Sequence, residues 1–201
     1  MDQPPITFDP TRLNESEWVA DTAWAISHPV WTHHSGTRFT AQHHSAEYDG
    51  AHSRVVALLG PNGEECVLKI MRSKYHPHRF PIEVRTQCLA ATHGLAPAVL
   101  DYGWMADGGC STLYILMERF GTSLTATQPR YITRAFKRTL HTLFNDIWNL
   151  GIVPLDVSLD NILWDGHSMK LIDFDPGEEH ELLSFDPAKE TLPSIEVFGH
   201  G

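Results

Sequence analysis

Cysteine is scarce in this chain, and what there is suits neither a cross-linked scaffold nor a metal knuckle. Cys66, Cys88 and Cys110 are odd in number, scattered, and show no CxxC spacing, which argues against a disulfide framework or a zinc site and fits a reducing compartment. Long hydrophobic runs are missing too: no stretch approaches the roughly 18 apolar residues of a membrane span. The opening MDQPPITFDP has neither the basic region nor the apolar core of a secretory signal. Positive charge is in deficit, with 15 Lys+Arg against 25 Asp+Glu and a net charge of −10. Nucleic acid and anionic membrane surfaces are therefore poor partners. These absences lead to the expectation of a soluble, cytoplasmic protein without a membrane span. Its 201 residues suffice for one domain, or two small lobes, with a real core.

Histidine is the residue in excess, at 13. His33-His34, His43-His44 and the pair His76 and His78 invite a metal reading, but adjacent loop histidines point in different directions and none stands in an HExxH pattern. Solvated loop residues are the better reading.

The stretch 151–177, GIVPLDVSLDNILWDGHSMKLIDFDPG, sets three polar positions in an apolar frame: Asp156, Asn161 and Asp173. Ile162-Leu163-Trp164 and residues 169–172 read as two short strands, with Asp165-Gly166 supplying a tight turn. Such a hairpin brings Asn161 at its start close to Asp173 at its end. Converging carboxylates repel unless a cation sits between them, and one carboxylate plus one amide oxygen is how Mg²⁺ is held when phosphate oxygens complete its shell. Asp156 is then left to take a proton. The alternative is that both acids are solvated turn residues and Asn161 a strand-start cap.

Along the rest of the chain, residues 1–13 are rich in Pro and Asp, and Asn14 or Ser16 is positioned to cap a short helix over 17–26 whose Trp18, Val19, Ala23 and residues 24–26 offer apolar surface; it reads as a brace packed on the domain, with a partner-binding segment as the alternative. From Thr37 the texture turns to strands. Residues 54–59 and 66–71 form a predicted hairpin around Gly60-Pro61-Asn62-Gly63. Within it, Lys69 points to one face while Leu68 and Ile70 point to the other. A half-buried ammonium needs an anion, and Glu83 in a helix predicted over 81–93, stopped by Gly94, is the candidate. The alternative is a surface lysine on an edge strand. Residues 99–103 and 113–118 read as strands. Residues 129–150 are the clearest helix, with Ile132, Phe136, Leu140, Leu143, Phe144, Ile147 and Trp148 in one stripe and Gly151 at its end.

In this order the elements resemble the protein-kinase superfamily, whose pattern is His-Arg-Asp, four residues and Asn, then Asp-Phe-Gly. Here the match reads Pro154-Leu155-Asp156, Asn161 and Asp173-Phe174-Asp175. The glycine-rich loop GxGxxGxV keeps Gly50 and Val55, with Tyr48 and Ser53 in place of the outer glycines. The resemblance implies an α+β, bilobal protein kinase-like fold: an N-lobe antiparallel sheet with one helix over 37–118, a much reduced helical C-lobe over 119–201, and an N-terminal extension over 1–36. It implies ATP and Mg²⁺ as ligands, Asp156, Lys69 and Glu83 as catalytic residues, and Asn161 and Asp173 as metal ligands. Gly50, Ser53, Val55, Val67, Lys69, Met117, Glu118, Phe120 and Leu163 are implied around the nucleotide. The implied activity is transfer of the γ-phosphate to a protein hydroxyl, as in Ser/Thr kinases. A small-molecule or sugar kinase and a pseudokinase binding module are the alternatives.

Several positions depart from the family pattern. Pro154 and Leu155 replace the His and Arg, Ser158 replaces a lysine, and Asp175 replaces the glycine, so control by phosphorylation is not expected. Asp175 reads as an added metal or phosphate-water ligand, or as a helix cap. Only 24 residues follow Gly177, which leaves no room for the large helical subdomain. Minimal kinases of this type occur among bacterial effectors and some viral proteins, which extends the expected location to a host cytoplasm and raises a partner that completes the shortened lobe.

Overall fold

The computed structural model describes residues 6–9, 16–20, 30–33, 37–41, 48–50, 52–72, 74–107, 110–127, 133–154 and 156–176. The fold is α+β. Its large sheet holds β1 (Ser16–Ala20), β2 (Val30–His33), β3 (Arg38–Ala41), β4 (Tyr48–Asp49), β5 (Ser53–Leu59), β6 (Glu65–Met71), β7 (Val99–Asp107) and β8 (Cys110–Glu118), in the order β3-β2-β1-β7-β8-β6-β5-β4. Because β3 also pairs with β5, through Thr40 opposite Leu59 and Ala41 opposite Leu58, the sheet curls back on itself. One helix, α1 (Phe80–Thr92), packs against it.

The β5–β6 hairpin forms as expected, with Val55 opposite Lys69. Gly63 takes φ +79°, the left-handed conformation that closes the turn, and its N–H donates to the Gly60 carbonyl at 3.0 Å. Alternation then sorts the side chains. Cys66, Leu68 and Ile70 of β6 join Phe39, Val56, Leu58, Tyr114 and Leu116 in a core on one face. Met71 joins Phe80, Val84, Ile115 and Met117 on the opposite face, under α1. Cys66 and Cys88 are buried; burial, helped by the nearby Glu64 carboxylate, pushes the Cys66 thiol up to about 11.

The helix expected over 17–26 is not what forms. Residues 16–20 are β1, antiparallel to β2 and parallel to β7, with Trp18 opposite Met105 and Val19 opposite Ala106; residues 21–29 lie outside the described residues. Trp and Val favour a pleated surface, and β7 offers them an edge, so tertiary pairing overrides the local cap signal. The first 36 residues supply β1 and β2 to the same sheet as the residues after them. Within 37–118 the strands pair antiparallel throughout, as expected, and β1 adds one parallel pairing, to β7.

The helix predicted over 81–93 appears as α1, and its end is a Schellman motif: Gly94 at φ +72°, Gly94 N–H to Ala91 O, and Leu95 N–H to Ala90 O. Beyond β8 come β9 (Thr122–Ser123), α2 (Leu124–Thr127), α3 (Arg134–Asn149), β10 (Ile162–Trp164) and β11 (Met169–Leu171). The stripe residues Phe136, Leu140, Leu143, Phe144, Ile147 and Trp148 of α3 are all buried. The helix starts later than residue 129, because Thr133 caps it by accepting from the Phe136 N–H at 3.1 Å; Ile132 lies outside the described residues. Its other end repeats the Schellman pattern around Gly151, at φ +75°.

The β10–β11 hairpin forms as expected and gains β9 as a third strand. Its turn is longer than a two-residue one. The Asp165 carboxylate accepts from the N–H groups of His167 and Ser168, each at 2.8 Å, and these bonds hold its pKa below the usual carboxylate value. No helix among the described residues is long and apolar enough to cross a membrane.

Candidate functional site

Three elements meet at Lys69. The side chain leaves β6 on the α1 face, where its ammonium donates to Glu83 Oε1 of α1 at 2.6 Å and to Asp173 Oδ1, two residues past β11, at 2.7 Å. The second oxygen of Glu83 accepts from the Tyr75 hydroxyl at 2.7 Å. Glu83 and Lys69 are buried, while the Asp173 side chain is 38% exposed. Burial works against the Lys69 charge, but the carboxylates of Glu83 and Asp173 outweigh it and raise the lysine's pKa above its ordinary value. Burial and then Glu83 push the Tyr75 phenol far upward as well.

Asp173 reaches Lys69 through an unusual backbone. Its φ of +66° makes it the one non-glycine residue with positive φ among the described residues. Aspartate tolerates this region better than most residues, and such strain gathers where a side chain must be aimed. Upstream, the Ile172 N–H donates to the Asn161 carbonyl at 2.9 Å, extending the β10–β11 ladder and drawing Asn161 beside the 172–173 step. The Asn161 amide nitrogen donates to the Asp156 backbone oxygen at 3.1 Å and to its Oδ2 at 3.2 Å. Asn161 is buried and Asp156 exposed.

Lys69, Asp156 and Asp173 border one cavity of about 180 Å³, together with Tyr48, His52, Ser53, Met71, Tyr75 and Asp175. The donor set suits a hard cation. Asn161, which does not itself line the cavity, turns its nitrogen to Asp156, so its amide oxygen is the atom a metal would use, and Asp173 would offer Oδ2. No group of three His, Cys, Asp or Glu among the described residues could hold an ion alone. Any Mg²⁺ here would need oxygens from its ligand or from water.

The remaining predicted contacts divide in two. Directly opposed strand residues share a face, so the pairings Val55–Lys69, Lys69–Ile115 and Val67–Met117 put Val55, Val67 and Met117 on the lysine's side of the sheet. Leu163 pairs with Lys170 across the small sheet. The Lys170 ammonium ion-pairs with Glu118 and lies 4.4 Å from the Phe120 ring centre, which aligns Leu163 with the 118–120 connection. None of Val55, Val67, Met117, Glu118, Phe120 and Leu163 lines the 180 Å³ cavity. Gly50 does not line it either: a Cβ there would fall 2.5 Å from the Tyr48 ring, so the glycine makes room for that tyrosine.

Tyr75, Arg79, His52 and Lys170 escaped the sequence reading. Tyr75 and Arg79 lie in the irregular link between β6 and α1, where no periodicity singles out a side chain. His52 sits in the loop already noted, and its neighbour Ser53 was the residue marked. Val153, Val157 and Leu159, each within three positions of Asp156 in the chain, are exposed by 36% or more. No family model matches the chain, and no curated protein matches it either.

Proposed function

We propose that the chain is a minimal, bilobal kinase-like phosphotransferase that moves the γ-phosphate of ATP to a protein hydroxyl. The observation that carries this reading is the Lys69 ammonium, held at once by Glu83 and Asp173 beside a cavity that Asp156 also lines. A lysine fixed by a buried glutamate presents its charge to phosphate oxygens without having to be oriented when they arrive. Asn161 and Asp173 would hold Mg²⁺, which when bound neutralises charge on the phosphates.

Asp156, exposed and steadied by the Asn161 amide, takes or orients the proton of the acceptor hydroxyl. Positioned proton transfer of this kind contributes roughly 10²–10⁴-fold, with alignment and charge stabilisation supplying most of the rest. The exposed Val153, Val157 and Leu159, near Asp156 in the chain, favour a polypeptide acceptor over a sugar, because exposed apolar side chains suit a peptide better than a hydroxyl-rich ring.

Incubating the chain with labelled ATP and Mg²⁺, alone and with a lysate, tests the proposal. Label should enter protein and vanish in Asp156→Ala and Asp173→Ala. Label on a small metabolite instead would support a small-molecule kinase, and nucleotide binding without turnover a pseudokinase.

A further inference from the structure

Helix α1 is tied to the segment after β11 at two places, and only the first runs through Lys69. The second joins Arg79, the residue that caps α1, to Asp175, with Nη1 3.6 Å from Oδ1. Arg79 is buried although it carries a charge, and a guanidinium so far from water requires a carboxylate nearby. Arg79 and Glu83 stand four residues apart, so they share one face of α1. The side chains that set this face against the 173–175 segment therefore form a ladder: Arg79 to Asp175, then Glu83 to Lys69 to Asp173, with Tyr75 holding the far oxygen of Glu83.

We propose that Asp175 is a positioning residue and not a metal ligand. By holding Arg79 it fixes the first turn of α1, and with Tyr75 it sets the Glu83 carboxylate where Lys69 can meet Asp173. The seating of α1 is thus built from residues of the chain itself and needs no added phosphate. What the seated lysine does rests on the kinase reading above; the ladder does not.

The test uses full-length protein labelled with ¹⁵N-lysine, following the exchange of the Lys69 ammonium protons by NMR. Asp175→Asn and Tyr75→Phe should each speed that exchange by about tenfold or more. Asp175→Glu, and the charge exchange Arg79→Glu with Asp175→Arg, should restore slow exchange. In phosphate-transfer assays Asp175→Asn should lower kcat by about 10²-fold, the scale of a misplacement near 1 Å, and leave the half-saturating Mg²⁺ concentration unchanged. Exchange at the wild-type rate in both Asp175→Asn and Tyr75→Phe overturns the assignment. So does a tenfold rise in the Mg²⁺ requirement with exchange unaltered, which would make Asp175 a metal ligand. If the wild type transfers no phosphate while the exchange rates change as expected, the kinase reading falls and the ladder stands. Should Asp175→Asn fail to fold, Arg79→Gln, which leaves Asp175 in place as a ligand but removes its partner, carries the exchange test: wild-type exchange in that variant overturns the assignment.

Discussion

Replacing Lys69 by methionine removes an ammonium while keeping most of the side chain's apolar bulk. Two carboxylate oxygens now bonded to one nitrogen, at 2.6 and 2.7 Å, would be left facing each other. At a separation of roughly 5 Å and an effective dielectric near 20, their repulsion is about 3 kcal/mol. Asp173 is 38% exposed and water screens its share, so most of the penalty falls on Glu83, whose side chain is only 3% exposed. Removing one partner of a buried pair typically costs about 3–5 kcal/mol, and for a chain of this size that lowers the melting temperature by about 10 °C. The double variant Lys69→Met with Glu83→Gln should recover at least half of that loss, since the amide is uncharged and still accepts from the Tyr75 hydroxyl. Urea and thermal unfolding followed by tryptophan fluorescence measure both midpoints. If Glu83→Gln adds a further loss to Lys69→Met, the lysine was not balancing the glutamate and the reasoning fails.

Alkaline stability follows from the same network. Lys69 and Tyr75 both hold their protons more tightly folded than unfolded, so their contribution is fully present below the ordinary values of 10.5 and 10.0 and is lost as the pH rises through the higher folded values. Unfolding midpoints should therefore begin to fall near pH 9, where the unfolded Cys66 thiol titrates, and fall more steeply above about pH 10, and a Lys69→Met/Tyr75→Phe variant should show a visibly shallower fall above about pH 10; equal slopes there would contradict the assignment. Gly121 offers a purely steric test: its φ is +47° and a Cβ would lie 2.4 Å from the Trp164 carbonyl oxygen. Gly121→Ala should cost about 1–3 kcal/mol by denaturant unfolding and loosen β9 from β10, whereas a neutral result would mean that this approach is not tight in solution.

Much of the site could be read before any fold was known, because it rests on local chemistry. Alternation separates Lys69 from Leu68 and Ile70, and a lysine that far inside a strand requires an acid. The helix bounded by Gly94 supplies Glu83, and the Asp165-Gly166 turn returns the chain so that Asp173 approaches. Each step uses a period of two, a period of 3.6 or a turn residue, and all act over a few positions. The failures lie where partners are remote or the backbone is irregular. Trp18 and Val19 became a strand because β7 runs beside them, a pairing that no local pattern announces. Arg79 and Tyr75 sit between regular elements, and nothing local to Lys170 announces Glu118 and Phe120, which reach it only in the fold. The start of α3 was placed too early because a stripe of apolar residues says less about a terminus than the capping hydroxyl of Thr133 does.

The way the large sheet closes also bears on how the chain must be made. On the ribosome, β1 and β2 emerge early, yet the strand on the far side of β1 is β7, translated only after α1. Until then the nascent chain carries an open strand margin rich in tryptophan and valine, the kind of template on which neighbouring chains aggregate. Slower translation lengthens that exposure and should therefore lower the yield of folded protein, as should crowded polysomes.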